Sequence, residues 1–182
     1  MWLVIAAVVV ALAIAAVAWM YAQRQRREKL RTNFGPEYDR ALREAGSPQK
    51  AEAILADRAR RVKELKIHPL SREQAETFAR EWHRVQAMFV DDPNGAAAAA
   101  DQLVTEVMTA RGYPIEDFET RAADLSVQHP RVVENYRTAR ALAIKRERGE
   151  AATEELRQAV VNYRALFDDL LATDKGAFRR AS

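Results

Sequence analysis

The chain has 182 residues, no cysteine and a formal net charge of +3. This length is enough for one domain once an apolar N-terminus is set aside. Without cysteine, disulfides, thiolate metal ligands and a cysteine nucleophile are excluded. Residues 24–31 hold five basic side chains against one acid and give +4, which leaves the rest of the chain at −1. The basic balance belongs to one short segment, so a nucleic-acid partner is not expected.

The first part of the chain reads as a membrane anchor. Residues 2–22 carry no charged or amide side chain, and at about 1.5 Å per residue they match a hydrocarbon core of about 30 Å. Aromatic residues stand at both ends of this segment, and arginines follow it directly. We therefore predict a transmembrane anchor at residues 1–23, with the lipid bilayer as its partner. The predicted membrane-anchoring residues are Trp2, Trp19, Tyr21, Arg24, Arg26 and Arg27.

The distribution of Lys and Arg predicts a cell-membrane protein whose remaining chain forms a soluble cytoplasmic domain. The alternative is a cleaved signal peptide and a secreted protein, because Ala16-Val17-Ala18 resembles a small-x-small cleavage site. A basic segment before the apolar run is lacking, however, and the run exceeds the usual 7–15 residues. Alanines at spacings of three and four leave open a homodimer through this helix, although the abundance of alanine alone explains the spacing.

The basic segment and a hinge occupy residues 24–46. The first helix is predicted to continue to about Thr32 and to break before Pro36, since proline disfavours a helical residue in front of it. A short helix over residues 37–45 ends at Gly46. Ser47 and Pro48 then begin a helix that runs to about Lys66.

Residues 71–112 contain the strongest helical pattern. Ser71 and Gln74 form a capping box, and apolar residues then repeat at spacings of three and four as far as Phe89. Asp92 and Pro93 begin the following helix, which ends near Gly112. We expect these two helices to pack as an antiparallel hairpin.

Three further helices follow: a shorter one that begins at Tyr113-Pro114, one that begins at His129-Pro130 and one that begins at Thr153. Residues 173–182 are predicted to be a flexible tail. No run alternates with period two over the length of a strand. The predicted fold is therefore all-α, with an N-terminal transmembrane helix, a multi-helix soluble domain at residues 47–172 and the tail.

No motif for catalysis or metal binding occurs, because the three histidines lack ligand spacing and the six glycines are isolated. We predict no catalytic, cofactor-binding or metal-binding residue and no cofactor. Residues 118–137 resemble a helix-turn-helix, which gives the alternative of a membrane-anchored regulator that binds DNA. The residues that would face a DNA groove are Gln128, His129, Arg131 and Asn135. Acidic residues on the first of the two helices oppose this interpretation.

Four segments of the chain, FGPEYDRA, FVDDP, ADQLVTEVMTARGYPIEDFETRAADLSVQHPRVVENYR and TEELRQAVVNYRALFDDLL, look like a group of bacterial membrane-anchored or secreted proteins of unknown activity. The resemblance covers nearly all of the chain after residue 23. It implies a bacterial source and the same arrangement of an apolar N-terminus and a helical domain. It supplies no ligand and no functional residue.

From these observations we predict a membrane-tethered helical interaction or scaffold module with an unidentified protein partner. An exposed apolar groove is the expected signature of such a module. The DNA-binding regulator is the second hypothesis. An enzyme of unrecognised type, with a site between helices, is the third.

Overall fold

The part of the chain described by the computed structural model consists of eight α-helices and contains no β-strand. The structure describes the backbone of residues 1–181 and the side chains of residues 1–2 and 12–172. The helices are α1 (Trp2–Phe34), α2 (Pro36–Ala45), α3 (Pro48–Glu64), α4 (Arg72–Met88), α5 (Pro93–Ala110), α6 (Phe118–Gln128), α7 (Val133–Glu147) and α8 (Thr153–Ala181). The predicted all-α class is confirmed for this part of the chain.

The prediction of an N-terminal transmembrane helix is wrong for the described residues, since none of their helices is both long enough and apolar enough to cross a bilayer. Helix α1 does not end with the apolar segment but continues through the basic residues to Phe34. The side chains at residues 3–11 of the predicted anchor lie outside the described residues. Helix α8 continues through the predicted tail as far as Ala181, but the side chains of residues 173–182 are not described, and the flexibility of the tail stays a prediction.

The chain divides into two compact units, Met1–Ala56 and Asp57–Ser182, with the division inside α3. Unit 1 contains α1, α2 and the first half of α3. Gly35 and Gly46 follow α1 and α2 at φ values of 49° and 70°, which only glycine adopts without strain. The predicted break before Pro36 and the predicted stop at Gly46 are therefore confirmed. The predicted domain boundaries at residues 23, 46 and 172 stay predictions.

Unit 2 is built around α8, which packs against α5 and α7, while α4 packs against α5. The core residues of α8 lie on one stripe: Leu156, Ala159, Tyr163, Leu166, Phe167 and Leu170 are all buried. Trp82 of α4 is 1% exposed and stacks on Phe167 with ring centroids 4.7 Å apart. The stripe predicted for α4 therefore does face the core at Trp82 and Val85.

Helix starts follow the predicted caps in most places. The capping box of Ser71 and Gln74 is present in full, and the Asp92 carboxylate accepts a hydrogen bond from the Gly95 N–H at 2.8 Å. Helix α8 begins at Thr153, as predicted.

The starts of α6 and α7 were predicted several residues too early. Asp117 caps α6 by accepting from the Thr120 N–H at 3.0 Å, and this hydrogen bond lowers the pKa of Asp117. The carbonyl of His129 accepts from the N–H groups of Val132 and Val133, so residues 129–132 form a turn and α7 begins at Val133. Proline at positions 114 and 130 therefore precedes these helices by several residues instead of opening them.

Two tyrosine hydroxyls are buried inside unit 2. Arg121 donates to the Tyr136 hydroxyl at 3.2 Å, and the Tyr136 and Tyr163 rings meet edge to face. Burial raises the pKa of Tyr136. Burial, reinforced by the Asp101 carboxylate, raises the pKa of Tyr163 far above its usual range. The folded state therefore holds both phenolic protons more tightly than the unfolded chain does.

This difference predicts a loss of stability in alkali. Below about pH 10 both states keep the Tyr163 proton, but above it only the unfolded chain releases the proton, which favours unfolding by about 1.4 kcal/mol per pH unit. Tyr163→Phe should flatten the decline in the free energy of unfolding above about pH 10, as measured by urea denaturation. Tyr21→Phe, which changes an exposed ring, should leave the slope as it is. Parallel declines in all three proteins would contradict this role of Tyr163.

Candidate functional site

The described part of α1 exposes a continuous apolar surface. Its six large side chains in residues 12–21 are between 55% and 69% exposed: Leu12, Ile14, Val17, Trp19, Met20 and Tyr21. Trp2, at the start of the helix, is 87% exposed. Contiguous exposed apolar surface of this kind marks a site of contact with a membrane or a protein.

The three arginines predicted to anchor the chain have different surroundings in unit 1. Arg24 and Arg26 are exposed. Arg27 is also exposed, but its Nε donates to the Glu52 carboxylate at 2.8 Å, and the Tyr38 hydroxyl donates to the same oxygen at 3.2 Å. The hydrogen bond and charge of Glu52 raise the pKa of Arg27, while burial raises the pKa of Tyr38. Arg27 thus ties α1 to α3.

A groove of about 300 Å³ runs between α4 and α5 in unit 2. Its apolar floor contains Val85 and Leu103, and Met88 at its edge is 42% exposed. Glu81 is paired with Arg84 at 2.5 Å, and Glu106 accepts from the amide of Gln102 at 2.9 Å. The lining residues occur at spacings of three, four and seven on each helix, which is the pattern that a third helix packs against.

On the other side of α4, a cavity of about 270 Å³ lies against α8. The buried rings of Trp82 and Phe167 and the side chain of Leu171 line it. The polar residues of this cavity are His83, Arg164 and Asp168. Helix α4 therefore lies between two surface depressions. The groove with α5 is lined by residues at helical spacing, and the cavity with α8 is lined by aromatic rings.

Two acid–base contacts, each with one buried partner, fix the corner before α7. Asp124, with a side chain only 1% exposed, accepts from Nε and Nη2 of Arg61 through one oxygen, at 2.8 and 2.5 Å. The Nδ1 atom of His129 lies 2.6 Å from the Asp169 carboxylate on α8. These contacts hold α6 to the end of α3 and the following turn to α8.

The contact of His129 corrects its predicted position on a DNA-facing surface, because the residue is only 2% exposed. Gln128 and Arg131 are exposed, and Asn135 is half-buried. The Gln128 side chain also accepts a hydrogen bond from the Tyr113 hydroxyl at 2.8 Å. The structure therefore does not bring the four proposed DNA-contacting residues together on one exposed surface.

Among the residues described with side chains, no three His, Cys, Asp or Glu side chains come together in a way that would hold a metal ion. His68 and His83 are exposed, and His129 is engaged with Asp169. Sequence reasoning missed the Arg27–Glu52, Arg61–Asp124 and His129–Asp169 pairs, since their partners are 25 to 63 residues apart.

No family model, curated protein or solved structure matches this chain. The resemblance to bacterial membrane-anchored or secreted proteins stays a prediction. Function must therefore be inferred from the surfaces themselves.

The buried Asp124 predicts different effects for two neighbouring arginines. Arg61→Gln leaves the buried carboxylate without its cation and should lower the free energy of unfolding by about 1–3 kcal/mol. Arg60→Gln disrupts only an exposed pair with Asp57 and should cost less than about 0.5 kcal/mol. Urea denaturation of both variants provides the measurement.

A further change tests the cause. Asp124→Asn in the Arg61→Gln background removes the buried charge and should recover part of the loss. Equal losses for the two arginine variants, or a further loss in the double variant, would show that Arg61 does not act through Asp124.

Proposed function

We propose that the chain is a helical interaction module that attaches to a lipid bilayer through α1 and presents unit 2 to a partner protein. The observation that carries the proposal is the exposed apolar surface of residues 12–21, followed directly by basic residues. Location at the cell membrane stays a prediction of the sequence.

Apolar and charged residues of α1 favour the same partner. Burying the exposed apolar side chains removes them from water, which is the main driving force for association with lipid. Arg24 and Arg26 are exposed beside this surface, and basic residues in that position are attracted to anionic headgroups. Arg27 contributes less to this attraction because Glu52 neutralises it.

Vesicle binding tests this assignment. The full chain should bind vesicles of phosphatidylcholine with phosphatidylserine more tightly than phosphatidylcholine alone. Changing both Arg24 and Arg26 to Gln should weaken binding to the anionic vesicles by about 10- to 30-fold, since each basic residue near such a surface contributes about 1 kcal/mol. Co-sedimentation at fixed ionic strength measures the effect.

The matched control is Arg72→Gln with Arg80→Gln, which makes the same change in net charge on exposed positions of α4. This pair should change vesicle binding less than threefold, a difference of about 0.6 kcal/mol. Equal weakening by the two double variants would show that only net charge matters, and absence of binding to either vesicle would end the lipid part of the proposal.

For the partner protein, we propose that an amphipathic helix occupies the groove between α4 and α5. The groove offers Val85, Met88 and Leu103 to an apolar stripe. Its lining carries two carboxylates, those of Glu81 and Glu106, against one guanidinium, that of Arg84. Charge complementarity therefore favours a partner helix whose apolar stripe is flanked by Lys or Arg.

Photo-crosslinking from two positions of similar exposure tests this groove. A photoreactive residue at Met88, 42% exposed in the groove, should form adducts with one partner segment, whereas the same residue at Val161, 46% exposed on α8, should not. Peptide mapping should show an amphipathic helical sequence with flanking basic residues. Glu106→Lys should reduce the adduct several-fold, and Glu150→Lys on an exposed loop should not. Adducts with extended or acidic segments, or equal yields from both positions, would contradict the proposed partner.

A further inference from the structure

The groove between α4 and α5 has a polar end and an apolar end. Residues 89–92 alone join these two helices, which pack against each other, so the helices run antiparallel. Glu81 and Glu106 therefore lie at the end of the groove that is remote from this loop. Met88, 42% exposed, and the half-buried Ala99 lie at the end beside the loop. A helix that fits this groove should be apolar along most of its contact face and basic at one end.

The two carboxylates at the polar end differ in the charge that surrounds them. Glu81 is paired with Arg84 of the same helix at 2.5 Å. Glu106 is exposed, and its carboxylate accepts a hydrogen bond from the uncharged amide of Gln102 at 2.9 Å. Because an amide does not neutralise a carboxylate, Glu106 is the group in the groove that attracts a cation of the occupant most strongly.

Helix α1 of this chain carries a surface with the complementary pattern. Ile14, Val17 and Tyr21 are between 61% and 69% exposed, and with Ala18 they lie on one face of the helix. These four positions follow spacings of three, one and three, which are also the spacings of the groove residues on α4 and on α5. The small side chain of Ala18 lies in a shallow depression between the larger ones, which a flexible side chain such as that of Met88 can fill.

Charged side chains follow this apolar face at one end only. Arg24 comes three residues after Tyr21, so it continues the same face by one helical turn, and it is exposed. Before Ile14 the sequence contains no charged side chain. The face of α1 is therefore apolar along its length and basic at its C-terminal end, which is the pattern that the groove requires.

We propose that, in the absence of lipid, α1 of a second copy of this chain occupies the groove. Arg24 lies at the Glu106 end and Ile14 at the Met88 end, so the bound α1 runs antiparallel to α4. The inference rests on the helix-binding role proposed for the groove, and it adds the identity of the occupant. Removal of the exposed apolar side chains of α1 from water drives the association. The same side chains cannot contact lipid at the same time, so a bilayer competes with the second copy.

Photo-crosslinking of the purified full chain, without vesicles, tests the proposal. Chains with a photoreactive residue in place of Met88 are mixed with isotope-labelled chains that lack it. The expected adduct has the mass of two chains, and peptide mapping should join position 88 of an unlabelled chain to the region of Ile14 in a labelled one. An adduct with the mass of one chain, which would place α1 of the same copy in the groove, would overturn the proposal. Adducts with other segments, or no adduct, would also overturn it.

Paired changes on opposite faces of α1 distinguish this contact from general aggregation. Ile14→Ser with Val17→Ser removes apolar groups from the contact face and should weaken self-association by about tenfold or more. Leu12→Ser with Trp19→Ser removes similarly exposed groups from the opposite face and should weaken it less than about threefold. Sedimentation equilibrium measures both dissociation constants. Equal weakening by the two double variants, or a parent chain that is monomeric at every concentration, would contradict the proposed contact.

Charge reversal tests the orientation of the bound helix. Arg24→Glu and Glu106→Lys should each weaken self-association by about three- to tenfold, and the two changes together should restore much of the loss because the pair re-forms with opposite signs. Arg26→Glu makes the same change in charge two residues further along, on another face of α1, and Glu106→Lys should not rescue it. Equal rescue of the Arg24 and Arg26 variants, or rescue of neither, would show that Arg24 does not meet Glu106.

The failure of this inference and the failure of the proposed function give different results. If the purified chain forms no adduct with a second copy but a helical segment of another protein is captured at position 88, the groove keeps its proposed role and the second copy is not its occupant. If no helix is captured at position 88, both fail. The attachment of α1 to lipid is tested separately, because the crosslinking and sedimentation experiments contain no vesicles.

Discussion

The packing of α8 is the constraint from which the arrangement of unit 2 follows. Ala159, Tyr163, Leu166 and Leu170 are fully buried at successive spacings of four, three and four, so a single face of this helix contacts both α5 and α7. Phe167 extends the buried face towards α4 through its stack with Trp82. The Trp82 side of α4 packs on the core, so the opposite side of α4 is exposed to solvent. The groove with α5 and the cavity with α8 lie on either side of this exposed surface.

Polar contacts then fix the rotation of the helices, which apolar packing alone leaves adjustable. Arg111, just after α5, donates from Nη1 to the carbonyl of Leu170 on α8 at 2.6 Å. The residue before Leu170, Asp169, contacts the ring of His129. Arg61 neutralises Asp124 one turn before the same corner. Apolar contacts tolerate small rotations of a helix, whereas hydrogen bonds to buried charges do not. The corner between α6 and α7 is therefore held by two other helices, α3 through Arg61 and α8 through Asp169.

The sequence predicted the elements better than their contacts. Local signals such as the Ser71 capping box, Asp92 before Pro93, and Gly46 act over one helical turn and were recognised correctly. The starts of α6 and α7 were missed because proline at positions 114 and 130 was taken as the first helical residue, whereas Asp117 supplies the α6 cap and residues 129–132 form a turn. The membrane span was inferred from length and apolarity, but none of the described helices is long enough and apolar enough to cross a bilayer, and α1 continues into the charged segment.

The candidate site was less predictable, for a physical reason. The expectation of an exposed apolar groove named no residues, because a groove consists of side chains from two helices whose relative positions no local pattern specifies. Arg164 and His83 are separated by most of unit 2 in the sequence and line one cavity only after α4 and α8 pack. Arg27 is an example of a predicted site residue with a different contact. Its position in a basic cluster predicted contact with lipid, but its side chain pairs with Glu52 on α3.

The relative size of two free-energy terms decides how α1 would bind lipid. Full burial of a large apolar side chain contributes about 1.5–3 kcal/mol, so the six exposed ones in residues 12–21 outweigh two basic residues at about 1 kcal/mol each. In the proposed attachment, apolar contact would therefore set whether α1 associates, and charge would set which membrane surface it prefers. Because the Arg27–Glu52 pair ties the basic end of α1 to α3, the helix presents its apolar residues from a fixed base within unit 1. If α1 binds lipid as proposed, this pair would restrict the orientation of unit 1 at the surface without requiring Arg27 to reach a headgroup.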